Sequence, residues 1–256
     1  MKKILLYIGI ALAAIGCTKE ETTTTTPSGD EITFSAGVAT RVSSSDDCAW
    51  DSTDEIGIFT DQDGEANLKF SIYNTSTGAM TNESGKILIP LEDYNTRTYY
   101  AYHPYIADQG ETISIDLADG CSTPLLWATE TTNDADVELK FTHMLPKVTF
   151  ELTADGTEVT SLDDATVTLK GAYAKAEFGI TSTTEQFSDQ STADITLTIE
   201  DSKVTAYLIP MAEVSGNVQL WVTADGDIYI YPITTTAWQS GYEYKYEITV
   251  GETNVD

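Results

Sequence analysis

Two histidines, three cysteines and many carboxylates are the side chains of this sequence that could carry out chemistry. His103 and His143 have no cysteines near them at the spacing of a zinc site. The sequence contains no glycine-rich phosphate loop, no G-x-S-x-G nucleophile motif and no H-E-x-x-H metal motif. Acidic pairs such as Asp163-Asp164 indicate solvated surface in a chain with 41 acidic residues. Without a convergent nucleophile, base or metal cluster, the sequence predicts a protein that is not an enzyme, has no metal site and uses no cofactor.

Two groups of residues leave a ligand-binding alternative open. The segment 61–65 places Asp61, Asp63 and Glu65 around a glycine, as in part of a calcium loop, but no later glutamate completes the pattern. We therefore expect a hairpin turn in this segment. Three tryptophans could stack on sugars, but cores of β-sandwiches commonly bury this residue, so burial is the preferred interpretation for Trp127, Trp221 and Trp238.

The N-terminal segment places a cysteine directly after an apolar run. Lys2 and Lys3 precede a twelve-residue apolar run at 4–15, and Gly16 separates that run from Cys17. This order is typical of a secretory signal peptide, and a helix of that length spans ~18 Å, too short for a ~30 Å hydrocarbon core. The last four residues of the segment resemble a bacterial lipobox. We therefore expect cleavage between Gly16 and Cys17 and acyl chains on Cys17, with an ordinary signal peptide as the alternative.

The segment after Cys17 is expected to be a flexible tether. Residues 18–29 read TKEETTTTTPSG and include no large apolar side chain that could seed a core. The triplet Lys19-Glu20-Glu21 resembles the signal that sends lipoproteins of some Gram-negative anaerobes to the outer face of the outer membrane. A solvated charge cluster is the alternative interpretation. The sequence thus predicts a surface-exposed lipoprotein held to the outer membrane by its lipid anchor.

The net charge of −28 narrows the choice of partners. Such a surface repels nucleic acid and anionic lipid headgroups, so no nucleic-acid partner is expected.

Cys48 and Cys121 could form a disulfide outside the cytoplasm, but spacing alone does not bring them together. Two separate buried cysteines are the preferred interpretation.

The elements that must position these residues are β-strands. Apolar and polar residues alternate in 137–142, 148–153 and 242–250, which is the pattern of strands with one buried face. Turn dipeptides such as Asp225-Gly226 separate the runs, and no long segment has helical periodicity. The sequence therefore predicts an all-β protein built from antiparallel β-sandwiches.

The predicted organisation has four parts. Residues 1–16 form the signal peptide and residues 17–29 the lipidated tether. The N-terminal β-sandwich is predicted at 30–138 and the C-terminal β-sandwich at 139–256, because the alternating runs become longer and more regular in the second half.

Blocks of sequence along the mature chain resemble the fimbrillin family of lipoprotein pilins and adhesins, also called type V pilins. They occur in the family's order at 32–34 with 40–41, Trp50 with 54–59, 99–105, 125–128, 139–148, 207–210 and 241–244. Asp54-Glu55 departs from the more usual Gly-Asp, which is expected to change only a turn. The resemblance implies two transthyretin-like Greek-key β-sandwich domains without catalysis. It also implies a fimbrial subunit that acts in cell adhesion and pilus assembly, with other fimbrial subunits as partners.

The resemblance further implies a processing site. Ile32, Phe34, Ala36 and Val38 alternate with small or polar residues and predict a first strand with one buried face. Arg41 follows this strand, and in the family an arginine-directed protease cuts after it, so that the strand leaves with the lipid. The vacated groove then accepts a strand from a neighbouring subunit by β-augmentation. A solvated Arg41 without such a role is the alternative.

The end of the sequence favours a tip or other chain-ending subunit. After the predicted strand at 242–250 only Gly-Glu-Thr-Asn-Val-Asp remains, which is too short and polar for a donor strand. A different interpretation is a stand-alone surface lipoprotein that binds glycans or other host or dietary ligands. That alternative predicts a shallow surface patch of exposed tryptophans, and in either case a host or bacterial surface ligand is a possible partner.

Overall fold

A computed structural model describes residues 32–38, 49–60, 67–85, 96–120 and 123–251. Within these ranges the chain forms β-strands and no helix, and so contains no helix that could cross a membrane. The prediction of an all-β protein is confirmed.

Seventeen strands follow one another within the described ranges. They are β1 (Thr33–Val38), β2 (Glu55–Thr60), β3 (Leu68–Asn74), β4 (Ala79–Asn82), β5 (Arg97–His103), β6 (Thr112–Asp116), β7 (Leu126–Thr132), β8 (Asp136–His143), β9 (Lys147–Ala154), β10 (Thr166–Lys170), β11 (Tyr173–Gly179), β12 (Phe187–Thr192), β13 (Ile195–Leu197), β14 (Lys203–Tyr207), β15 (Gln219–Ala224), β16 (Asp227–Pro232) and β17 (Glu243–Val250).

Seven strands form a closed ring, the N-terminal ring, in the order β1-β4-β3-β2-β5-β7-β8. All neighbouring strands of the ring are antiparallel except β1 and β8, which are parallel. Every second residue of β8 is buried, as its alternating sequence predicts. The inward side chains form one core, which includes Phe34, Phe70, Tyr99, Leu139 and Phe141.

The other ten strands form three sheets. A four-stranded sheet has the order β13-β10-β15-β16, and two three-stranded sheets have the orders β14-β9-β17 and β12-β11-β6. Their inward side chains share a second core, which includes Phe150, Leu169, Leu220 and Trp238. The turn between β15 and β16 consists of Asp225-Gly226, both with positive φ (52° and 92°), as the dipeptide predicts.

The sequence places the boundary between the two predicted domains near residues 137–146, and strand β8 ends within this range at His143. Strand β8 pairs with β1 and β7 of the N-terminal ring. In addition, β6 lies in the first half of the sequence but pairs with β11 from Lys175↔Asp116 to Gly179↔Thr112. The ring therefore ends with β8 and the next sheet begins with β9. The division into two transthyretin-like domains stays a prediction.

A third apolar cluster joins the ring to the remaining sheets. It contains Tyr102 and Trp127 from the ring together with Ile113, Phe178 and Tyr207 from the other strands or their connections. The indole Nε1 of Trp127 also donates a hydrogen bond of 2.8 Å to the backbone oxygen of Ile180. Because this bond is buried, it fixes the orientation of Trp127 at the junction.

Candidate functional site

The first strand of the ring, β1, is the predicted site that the structure describes. Ile32, Phe34 and Ala36 are buried, and Val38 is half-buried against the same core. The remaining candidate residues for lipidation, cleavage, disulfide formation or calcium binding lie outside the described residues: Gly16, Cys17, Arg41, Cys48, Asp61, Asp63, Glu65 and Cys121.

Phe34 is the main apolar contact of β1. Its side chain is 4% exposed, and its ring centroid lies 5.1 Å from those of both Phe70 and Tyr99. The interplanar angles of 72° and 81° are edge-to-face arrangements, in which the positive edge of one ring faces the negative face of another. Since Phe70 belongs to β3 and Tyr99 to β5, this contact anchors β1 to the interior of the ring.

The backbone around Ala36 is held from two sides. The indole Nε1 of Trp50 donates a hydrogen bond of 2.9 Å to Ala36 O, and Ala36 N donates one of 2.9 Å to Gly78 O. Gly78 has a φ of +68°, and a Cβ added there would lie 1.9 Å from Ala36 O. Only glycine therefore allows the turn before β4 to approach β1 so closely.

Strand β1 is attached mainly to β8. The two strands pair in parallel over six positions, from Thr33↔Asp136 to Val38↔Phe141. At the start of this ladder, Thr33 Oγ1 donates to Asp136 Oδ1 at 2.5 Å. On its other side β1 meets β4 at a single Cα pair, Ser35↔Ala79.

Removal of β1 would open the ring between β4 and β8. It would expose the unpaired backbone of β8 and the apolar slot that now holds Phe34, both of which an extended strand could occupy. The arrangement is therefore suited to the exchange of one strand for another.

The two histidines have separate structural surroundings. His103 Nδ1 donates to the backbone oxygen of Glu55 at 2.9 Å, and its ring packs edge-to-face on Trp50 at 5.3 Å. His143 is buried and stacks on Tyr207. Within the part of the chain that the structure describes, no three histidine, cysteine, aspartate or glutamate side chains cluster to hold a metal ion.

The tryptophans do not form an exposed patch. Trp50, Trp127 and Trp238 are buried. Trp221 lies partly exposed on the outer face of its sheet, unlike the burial that the sequence predicted, and Lys170 Nζ covers its ring at 4.6 Å from the centroid. These four residues therefore do not form the exposed tryptophan patch that the glycan-binding alternative predicts.

Sequence reasoning missed two residues that hold β1. Trp50 belongs to one of the sequence blocks without a predicted contact, and Gly78 belongs to none of the motifs. The local sequence indicates only a tight turn before Gly78. In this turn the side chain of Asn74 accepts hydrogen bonds from the backbone N–H groups of Ser76 and Thr77. The close approach to Ala36 depends on a distant segment and could not be read from that turn.

Comparisons with known proteins agree with this fold. A family model described as fimbrillin-like matches residues 40–256. A relative from Bacteroides uniformis, named as a fimbrium subunit, Fim1C, is 25% identical over 285 residues, which cover 100% of this chain and 93% of the relative.

Solved structures with the same fold include the following two. One, from Bacteroides uniformis and described as a cell adhesion protein, has a TM-score of 0.69 at 24% identity and covers 87% of this chain and 94% of its own. The tip fimbrial protein Mfa3 from Porphyromonas gingivalis has a TM-score of 0.50 at 9% identity and covers 88% of this chain and 96% of its own. At these identities the matches establish a common fold.

Proposed function

The chain belongs to the fimbrillin-like family, and from this premise we propose that it is a fimbrial subunit that accepts a β-strand from a neighbouring subunit. Family membership confirms the resemblance that the sequence blocks indicated. It also confirms the prediction that the protein is not an enzyme, since the family has a structural role.

The observation that carries this proposal is the position of β1 in the ring. Its attachment combines one parallel ladder, one Cα pair with β4 and an apolar face that includes Phe34. Arg41 follows β1 closely in the sequence, so a cut there would leave β1 held by non-covalent contacts alone. The loss of the covalent link removes the high effective concentration that keeps β1 in its groove, and a donor strand can then compete for it.

The distribution of arginines favours a single cut. Arg41 and Arg97 are the two arginines of the sequence. Arg97 is 3% exposed and lies in β5 opposite Thr132 of β7. Because a protease needs an extended and accessible segment, we expect an arginine-specific protease to spare Arg97 in the folded protein.

The role of a tip or other chain-ending subunit is supported by the use of β17. This strand pairs with β9 over eight positions, from Glu243↔Lys147 to Val250↔Ala154. Its Tyr246 stacks on Phe150 with a centroid distance of 5.2 Å. As β17 is part of its own fold, it is not available as a donor strand, and the subunit accepts a strand without giving β17 in return.

The proposed location is the outer membrane before assembly and the fimbrium afterwards. Acyl chains on Cys17 would hold the precursor on the membrane. Cells that express the protein are grown with a radioactive fatty acid, and the label is expected in the wild type and in Cys48→Ala but not in Cys17→Ala. Equal labelling of Cys17→Ala would contradict the lipid anchor.

Assembly is tested with the full-length protein, an arginine-specific protease and a stalk subunit that carries a donor strand. We expect the cut protein to form a one-to-one complex with the stalk subunit in size-exclusion chromatography. The matched control Arg41→Lys is expected to remain uncut and monomeric in the mixture. Complex formation by uncut protein would refute the role of cleavage, and long homopolymers of the cut protein alone would refute the chain-ending role.

A further inference from the structure

Strand β16, far from β1 in sequence, forms one edge of the four-stranded sheet. Among the described strands, β16 pairs with β15 alone. Its sequence is Asp-Ile-Tyr-Ile-Tyr-Pro, and its two isoleucines, Ile228 and Ile230, are 56% and 48% exposed. Exposed β-branched residues on an unpaired edge are unusual, because such an edge readily pairs with another strand.

The hydrogen-bonding groups of this edge can be assigned from the hairpin. The residues that flank a two-residue turn form a hydrogen-bonded pair, which here is Ala224↔Asp227, and such pairs alternate along an antiparallel ladder. The pairs Thr223↔Ile228 and Trp221↔Ile230 are therefore non-hydrogen-bonded. The N–H and C=O groups of both isoleucines consequently point away from β15, toward the open side.

The outer face beside this edge carries little charge. Thr223 and Trp221 lie opposite Ile228 and Ile230, and the ammonium group of Lys170, which is paired with Asp194 at 2.5 Å, covers the ring of Trp221. Because the charge of Lys170 is paired with Asp194, this face adds little local repulsion against an approaching segment.

The end of β16 next to the turn is acidic. Asp225 lies in the turn and Asp227 begins the strand. The backbone N–H of Thr160 donates to Asp225 Oδ2 at 3.3 Å, which places the loop that follows Asp155 against this turn. That loop also contains Glu158, whose N–H donates to Asp155. Burial and the charges of Asp227, Glu158, Asp155 and Asp225 raise the pKa of Tyr229 in β16, so we call these four carboxylates the acidic end of β16.

We propose that the open edge of β16 binds an extended segment of a partner protein. That segment carries β-branched residues opposite Ile228 and Ile230 and a lysine or arginine beside the acidic end. Main-chain hydrogen bonds to the outward N–H and C=O groups provide attachment, and the cross-strand apolar pairs add to it. Pro232 lacks an N–H group and ends the ladder, so the segment is short.

Charge selects a basic partner rather than a second copy of this chain. Strand β16 and its turn contain no lysine or arginine, so an identical strand offers no cation to the acidic end. Two copies would also bring together two chains with a net charge of −28 each. The site is separate from the β1 groove and does not depend on cleavage or strand exchange.

The test uses the uncut full-length protein and a fluorescent peptide, Lys-Val-Thr-Val-Lys, blocked at both ends. Its symmetrical sequence presents a lysine to the acidic end in either orientation. We expect fluorescence anisotropy at low salt to show binding that is at least about tenfold tighter than that of Glu-Val-Thr-Val-Glu or Lys-Thr-Thr-Thr-Lys. Hydrogen exchange is expected to slow at the amides of Ile228 and Ile230 when the first peptide is present.

Variants of the protein locate the binding. Ile228→Lys and the milder Ile230→Thr are expected to weaken binding of Lys-Val-Thr-Val-Lys at least about tenfold, because they remove an apolar pair or add a charge to the edge. Tyr73→Lys changes a residue that is 65% exposed on β3 and serves as the matched control with unchanged binding. Circular dichroism verifies that each variant folds.

Three results would overturn the proposal. Equal binding of the glutamate peptide would remove the argument from charge. Absence of protection at Ile228 and Ile230 up to the highest soluble peptide concentration would exclude the edge. Sedimentation of the protein alone as a dimer, with the same two amides protected, would assign the edge to a second copy.

Discussion

The stability of the ring depends on how firmly β1 is packed, and Phe34→Ala measures this directly. The phenylalanine is 4% exposed and contacts Phe70 and Tyr99 edge-to-face. Truncation of a buried phenylalanine to alanine costs ~3–5 kcal/mol, which includes the lost aromatic pairs of ~0.5–1.5 kcal/mol each. Because β1 is attached to β4 at one Cα pair, the structure around the space left by Phe34 can partly collapse. We therefore expect the free energy of unfolding to fall by ~3 kcal/mol.

The assay is urea unfolding of the uncut protein, followed by tryptophan fluorescence and by far-ultraviolet circular dichroism. Ser35→Ala is the matched control, since Ser35 lies on the same strand with its side chain on the opposite, half-exposed face. We expect this control to change the free energy of unfolding by less than ~0.5 kcal/mol. If the free energy of unfolding falls by less than ~1 kcal/mol for Phe34→Ala, or by the same amount as for Ser35→Ala, the packing of Phe34 on Phe70 and Tyr99 would be refuted.

The same substitution links stability to strand exchange. A difference of ~3 kcal/mol corresponds to a factor of roughly one hundred in an equilibrium constant. After cleavage at Arg41, the Phe34→Ala strand is therefore expected to leave its groove far more readily than the wild-type strand. Mass spectrometry of the cut protein after size-exclusion chromatography measures the fraction of strand retained.

Three further predictions concern the ring, the loop that begins at Asp155, and the junction between the ring and the remaining sheets. Gly78→Ala is expected to destabilise the protein by at least ~2 kcal/mol in urea unfolding, because the new Cβ meets Ala36 O at 1.9 Å and φ is +68°. Backbone and hydroxyl hydrogen bonds lower the pKa of Asp155 from 3.8 to about 2, so its stabilising effect is present above pH 3.8 and is lost as the pH falls toward 2. The stability difference between wild type and Asp155→Asn should accordingly shrink over that range and be constant at higher pH. Trp127→Phe removes the 2.8 Å bond to Ile180 O and is expected to cost ~1–3 kcal/mol in thermal or urea unfolding, whereas a neutral effect would show that this carbonyl finds another partner.

Local sequence features predicted much of the secondary structure. The alternation in β8 appears in the structure as a strand with every second residue buried, and the Asp225-Gly226 dipeptide forms the expected turn. The family was also recognisable, because its blocks are short local segments in a set order. Ile32, Phe34 and Ala36 of the candidate site are buried on one face, as their period of two predicts.

Features that involve two distant segments were not predictable. The sequence did not indicate that β6 pairs with β11, that β8 closes the ring against β1, or that Trp221 lies on an outer face. Likewise, nothing in the pattern around Gly78 shows that it faces Ala36.

The sequence by itself determined that this is an all-β, strongly acidic protein of a recognisable family, with a first strand that has one apolar face. Only the tertiary structure decided which strands lie side by side, that β1 closes the ring, and that β16 pairs with β15 alone among the described strands. The physical reason is that a period of two specifies which residues share a face of a strand, and this depends on neighbours along the chain. The choice of a pairing partner and register depends on surfaces brought together from distant parts of the chain, whose free energies no local pattern contains.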